Sequence, residues 1–196
     1  MRNLLRAATI VLLACVVAPT LARNPAFAND TPANAELWQA LREGTALALM
    51  RHALAPGTGD PPGFRPDDCA TQRNLSAEGR AQARRMGELL RRNGISAAIV
   101  KTSVWCRARD TAAELGLGPV EAEPSLNSFF GDSSRAPTQM AALRRVIAAL
   151  PPQRPAVLVT HQVVVTALSG VYPQSGEMVV LARDGLAVLG RIPAPS

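Results

Sequence analysis

The sequence predicts an α/β domain of three layers, with a mostly parallel central sheet packed between helices. Three observations carry this. Largely apolar runs of strand length (45–50, 96–100, 156–160) alternate with longer amphipathic stretches of helical period (76–92, 104–115, 137–150), the pattern of strand–helix–strand units. The strand-length runs lack polar alternation, as strands buried on both faces of a parallel sheet require. With 196 residues, 47% of them hydrophobic, the chain fills one apolar core and is too short for two ordinary domains.

The elements follow in order. Residues 1–28 read as a secretory signal: Arg2 and Arg6, then an uncharged run from Ala7 to Ala22, then Ala26 and Ala28 flanking Phe27, with cleavage after Ala28 or, as second choice, after Ala22. The apolar run is shorter than the roughly 20 residues a permanent span needs, so no stable membrane span is expected after cleavage. The domain is then residues 29–196, periplasmic or secreted. Asn34 caps a short helix, 35–42, with Leu37, Trp38 and Leu41 as its stripe. A buried strand over 45–50 ends at Arg51-His52. Residues 53–75 hold four Pro and three Gly and read as one long loop, of a length that in compact domains is functional or disordered. Ser76 caps a helix to Arg92 whose inner stripe is Gly79, Ala83, Met86 and Leu90, while Arg80, Arg84 and Arg91 read most simply as a solvated face. Asn93-Gly94 ends it. A second strand, 96–100, leads to Ser103 and a helix over 104–115. A weak strand at 120–123 and an irregular stretch, 124–136, precede a helix from Pro137 to Leu150 with Met140, Leu143, Val146, Ile147 and Leu150 inward. A strand at 156–160 ends at His161, a helix covers 162–168, and 177–182 with 186–190 form a closing hairpin.

Charge narrows the function. The net charge is +6, but Arg2, Arg6 and Arg23 lie at the N-terminus, so residues 29–196 hold 18 basic against 15 acidic residues. That mild excess, with only seven aromatics, does not make a nucleic-acid platform. All the basic residues but Lys101 are arginine, which suits a bidentate grip on phosphate or carboxylate; codon bias gives the same composition. Loss of Cys15 with the signal leaves Cys69 and Cys106. In an oxidising compartment they pair, in a bridge worth about 3–4 kcal/mol; two buried free thiols are the other reading. No metal-binding spacing is present, so neither metal nor cofactor is expected.

Ligands of such sheets bind beyond the carboxyl ends of the strands. Arg51-His52, the segment from Ser103 to Arg107, and His161 all fall at such ends, and the chain has only two histidines. A neutral imidazole is a nucleophile that works near pH 7. Guanidinium groups and a second, protonated imidazole can hold the charge that develops on a phosphoryl group under attack. Arg51, Arg107 and His161 are groups of these kinds and need no metal, so the expected chemistry is phosphoryl transfer.

At these residues the sequence resembles the histidine phosphatase superfamily, in its phosphoglycerate-mutase-like branch 1. The matches are Leu49-Met50-Arg51-His52-Ala53 to the Arg-His-Gly signature at a strand end, and the stretch 74–83 to "N-L-S-x-x-G-x-x-Q-A". Residues 103–112 match "S-x-x-x-R-A-x-x-T-A", and Val159-Thr160-His161 matches the final "V-x-H". Together they span roughly residues 45–191. The resemblance implies that His52 becomes phosphorylated, that Arg51, Arg107 and His161 form the phosphate pocket, that water later releases phosphate, and that a loop donor such as Thr58 adds to the pocket. Thr71 and Asn74 are further candidates with ordinary turn roles as alternatives.

Two departures matter. Ala53 replaces the family's glycine, a tolerable change unless the position needs positive φ. Ser128 stands where mutase-like members carry a glutamate general acid, and a hydroxyl cannot donate in its place at neutral pH. Asp132 is the first substitute, with Asp60, Asp67 and Asp68 behind it; alternatively the leaving group needs no acid. A bridge between Cys69 and Cys106 would clamp the nucleophile loop against Arg107. The expected function is therefore metal-independent hydrolysis of a phosphomonoester or similar phosphorylated substrate, small or part of the cell envelope. The alternative is a catalytically weakened relative that binds a phosphorylated envelope ligand.

Overall fold

A computed structural model describes residues 32–195, so the expected signal segment lies outside the described residues. In chain order the helices are α1 (Pro32–Glu43), α2 (Ala77–Arg92), α3 (Cys106–Leu115), α4 (Ala136–Ala148) and α5 (Gln162–Ser169). The strands are β1 (Ala46–Arg51), β2 (Ile99–Thr102), β3 (Val120–Ala122), β4 (Ala156–Thr160), β5 (Met178–Ala182) and β6 (Val188–Ile192). They form one sheet in the order β3-β2-β4-β1-β5-β6. β1, β2, β3 and β4 run parallel, while β5 and β6 are antiparallel additions at one side. The architecture is the three-layer α/β sandwich that the sequence predicts.

Alternation along β1 builds both layers. Ala46, Ala48 and Met50 point into a core with Trp38 and Leu41 of α1, Met86 and Leu90 of α2, and Ala112 of α3. Leu47 and Leu49 point into a second core with Leu143 and Ile147 of α4 and Val164 and Val165 of α5. β1 and β4, central in the sheet, are fully or almost fully buried, which is why they read as unbroken apolar runs.

Element bounds differ from the sequence reading in a few places. α1 starts at Pro32 rather than at residue 35, since proline suits the first turn of a helix. β2 spans 99–102 and not 96–100, because pairing with β4 begins only where Ile99 meets Ala156. α3 begins at Cys106, after an extended Trp105 (φ −63°, ψ 135°). Val146 is only half-buried. The arginine face of α2 is not merely solvated: Arg80 reaches Asp110 at 2.6 Å, Arg84 reaches Glu114 at 2.9 Å, and Arg91 donates to the Leu115 carbonyl at 2.8 Å, so the face ties α2 to α3.

Glycine in α2 has a packing cause. A Cβ on Gly79 would lie 2.0 Å from the Leu54 carbonyl oxygen, and one on Gly87 would lie 2.2 Å from that of Leu115. The small residues let the loop after β1 and the end of α3 pass against the helix. Ser76 caps α2 by accepting from Gly79 N at 2.9 Å, and Ser76 N and Gln82 Oε1 bond both sides of the Leu54 residue.

Candidate active site

Parallel pairing brings three strand ends to one edge. His52 N donates to the Thr160 carbonyl of β4 at 2.8 Å, and Ser103 N donates to that of Val159 at 3.1 Å, so the ladder continues one residue past β1 and β2. His161 follows β4 directly. The imidazoles of His52 and His161 stand edge to face with ring centroids 5.4 Å apart, although more than a hundred residues separate them in the chain. Both are about 3% exposed, as is Arg107.

The hydrogen bonds of His52 fix its tautomer. Its Nδ1 lies 2.8 Å from the Ala53 carbonyl oxygen, which can only accept, so Nδ1 carries the proton and Nε2 the lone pair. Burial lowers the His52 pKa to about 3; the bond to Ala53 opposes this, and Arg107, Arg73 and Arg51 add to it. Burial pushes His161 well below the ordinary histidine value as well, helped by His52 and the same arginines. This corrects one expectation. A protonated His161 is not the resting form, because a charged ring would have to sit without solvent among three guanidinium groups. His161 Nε2 is 2.8 Å from Ser103 Oγ, which also accepts from Trp105 N at 3.2 Å.

The cleft around these rings has a volume of about 490 Å³. Arg51, Arg107, His52, His161, Thr58 and Asp132 all line it. Arg51 donates from Nη1 to the Pro173 carbonyl at 2.9 Å, in a turn that also accepts from Arg51 N through Glu177 O. That turn is held by the buried Glu177 carboxylate, which pairs with Arg191 and accepts from Gln174 N. The Nε atoms of Arg51 and Arg107 are buried and bond to nothing within the protein. Buried donors without a partner cost about 1–3 kcal/mol each.

Arg73 is the site residue that sequence reasoning missed. It lines the cleft, donates from Nε to Gly59 O at 2.6 Å and from Nη1 to Ala55 O, and so shapes the loop after His52. Its signal was its place directly before the Asn74-Leu75-Ser76 motif. Asp60 was also underrated. Its carboxylate accepts from both terminal nitrogens of Arg107 (2.6 and 3.1 Å), from Trp105 Nε1 at 3.0 Å and from Arg73 N at 3.3 Å. Burial alone would raise its pKa, but the bonds from Arg107 and Trp105 outweigh it and hold the group below its usual value.

The other acid candidates divide. Asp132 lies on the cleft wall, with one oxygen capping the turn at 133–135 through Ser134 N and Oγ. Asp68 pairs with Arg65 and caps 69–71, and neither it nor Asp67 lines the cleft. Thr71 and Asn74 make turn bonds, Thr71 to Arg65 and Asp68 and Asn74 to Cys69 and Gln72, which removes them from the pocket. Ser128 lines the cleft, its Oγ accepting from Phe130 N at 3.3 Å. Ala53 is not in the positive-φ region, so its methyl group is accommodated; its N–H donates to Thr111 Oγ1. Cys69 and Cys106 are disulfide-bonded, with Cα atoms 5.7 Å apart. The bridge joins the loop after β1 to the residue preceding Arg107.

A parallel α/β sheet that gathers two buried imidazoles and three guanidinium groups at its carboxyl edge defines a phosphate-handling class of domain. Residues 47–139 match the model of the histidine phosphatase superfamily (branch 1). Solved structures show the same fold. The protein histidine phosphatase SixA in complex with tungstate is 20% identical, with 76% of this chain and 97% of that one covered and a TM-score of 0.54. A mycobacterial glucosyl-3-phosphoglycerate phosphatase complexed with VO3 is 18% identical over 78% and 99%, with a TM-score of 0.56. A protein of Thermus thermophilus, TTHB049, is 21% identical over 76% and 99%, with a TM-score of 0.54. No curated protein matches the chain.

Proposed function

We propose that the protein is a phosphatase that hydrolyses a phosphomonoester or similar phosphorylated substrate through a phosphohistidine on His52. The observation that carries this is the paired, neutral imidazoles facing a cleft lined by four arginines, Arg51, Arg73, Arg107 and Arg135. The complexes of two fold relatives with tungstate and VO3 agree with it.

His52 Nε2 attacks phosphorus, the bond from phosphorus to the leaving oxygen breaks, and that oxygen takes the electron pair. Charge on the transferring group is held by the guanidinium groups of Arg51 and Arg107 that line the cleft, with Thr58 as a loop donor. His161, its Nε2 hydrogen-bonded to Ser103 Oγ, completes the pocket as a neutral imidazole. Water then attacks the phosphohistidine, the P–N bond breaks, and His52 regains its lone pair. The disulfide supports an oxidising site of action, periplasmic or secreted.

The test is hydrolysis of p-nitrophenyl phosphate, its inhibition by vanadate, and trapping of an acid-labile phosphoenzyme. His52→Ala abolishes all three on this reading. A variant as active as the wild type defeats it, and phosphate binding without turnover in the wild type would favour the weakened, ligand-binding alternative, for which Ser128 at the glutamate position is the motive.

A further inference from the structure

We propose that the substrate is an aryl phosphomonoester, with the leaving phenol held on an aromatic wall formed by Phe130, Tyr172 and Phe64. The proposal rests on the phosphatase reading above and names the chemistry of its leaving group. Two independent observations meet in it.

The first is the distribution of rings. The chain has seven aromatic residues, and five of them line this one cleft: Phe64, Trp105, Phe129, Phe130 and Tyr172. Trp105 lies 5.5 Å from His161 and 5.6 Å from Phe64, centroid to centroid, so a chain of rings runs outward from the imidazole pair. Phe130 and Tyr172 are 61% and 62% exposed, the two most exposed large hydrophobic residues of the described chain. Such exposure is disfavoured for a core residue and suits a face that a flat ligand covers. Stacking of one planar ring on an aromatic side chain contributes enough to change affinity about tenfold.

The second is the acid inventory. Ser128 replaces the expected carboxylic acid, Asp60 is engaged by Arg107, Trp105 and Arg73, and Asp132 caps a turn. A leaving group that departs unprotonated must be weakly basic. A phenol ionises near pH 10, as tyrosine does, several units below an alkyl alcohol. In the step, the His52 Nε2–P bond forms as the P–O(aryl) bond breaks, and the phenolate carries away the electron pair and takes its proton from solvent. A phosphotyrosyl side chain and a free aryl phosphate share this chemistry.

The experiment compares phenyl phosphate, cyclohexyl phosphate and acetyl phosphate on the disulfide-bonded protein. Phenyl phosphate separates from cyclohexyl phosphate in leaving-group basicity and planarity at nearly constant size. Acetyl phosphate has a good leaving group and no ring. The expected results are kcat/KM for phenyl phosphate at least 100-fold above that for cyclohexyl phosphate, and, in Phe130→Ala and Tyr172→Ala, a KM for phenyl phosphate about tenfold higher with kcat and the KM for acetyl phosphate unchanged. In Ser128→Glu, the restored acid raises kcat for cyclohexyl phosphate and leaves phenyl phosphate nearly unaffected. A phosphotyrosyl peptide run beside free phenyl phosphate tells which source is preferred, and a lower KM for either one supports the aryl assignment. Equal rates on the phenyl and cyclohexyl esters, or aromatic variants that leave KM for phenyl phosphate unmoved, overturn it while the phosphatase reading stands. No turnover of any of the three overturns both.

Discussion

Acidification is the most direct probe of the buried imidazole pair. The two histidines are the only side chains of the sequence with ordinary pKa values between pH 5 and 7. His52 is held at about 3 by burial, so between that value and 6.5 the unfolded chain binds a proton that the folded chain refuses. Stability is then full above pH 6.5 and falls as the pH drops through this window. From pH 7 to pH 5, an unfolded histidine with a pKa of 6.5 becomes almost fully protonated, which removes about 2 kcal/mol for His52 alone. His161 is displaced in the same direction and adds to the loss. The assay is urea unfolding at half-unit steps of pH, in which 2 kcal/mol moves the midpoint by about 1 M. His52→Gln is expected to lose its share of the slope, and a His52→Gln, His161→Gln double variant nearly all of it. A wild-type midpoint that stays flat from pH 7 to pH 5, or an equal slope in the double variant, refutes the burial argument.

Further outcomes follow from other contacts. Reduction of the Cys69–Cys106 bridge, which closes a loop across a separation of 37 residues, is expected to cost about 4 kcal/mol, read as a lower melting temperature with dithiothreitol than without. Arg107→Lys removes the two-nitrogen fork and is expected to lower kcat/KM for p-nitrophenyl phosphate at least 100-fold and, because the same buried fork pairs with the Asp60 carboxylate, to lower the melting temperature as well. Gly79→Ala drives a methyl group into the Leu54 carbonyl and is expected to destabilise by roughly 1–3 kcal/mol in urea unfolding. Gly131→Ala, with nothing within 4 Å of the added carbon, serves as its silent control.

Much of this fold is legible because its central strands are buried on both sides. Ala156–Thr160 shows as an unbroken apolar run, and the structure gives that strand the same bounds. β2 is less legible, since the Ser96–Val100 run carries no local mark of where pairing starts, and only pairing with β4 decides that the ladder begins at Ile99. The site divides in the same way. His52, Arg51 and His161 sit at strand ends, where local pattern and topology agree. Arg73 and Asp60 lie in the long stretch 53–75, which has no periodicity, and their roles exist only through contacts across the cleft: Arg73 through the Gly59 and Ala55 carbonyls, Asp60 through Arg107. The neutral state of His161 was likewise beyond the sequence, because it depends on enclosure and not on neighbours in the chain.

The carboxylate of Asp60 has a consequence for turnover. Because it already occupies both terminal nitrogens of Arg107, an arriving dianion meets at that residue a guanidinium group with an internal competitor. Such a competitor weakens the hold on every anion in the cleft, the inorganic product included. Under the proposed phosphatase activity, release of product is thereby eased, at some loss of affinity for the incoming ester.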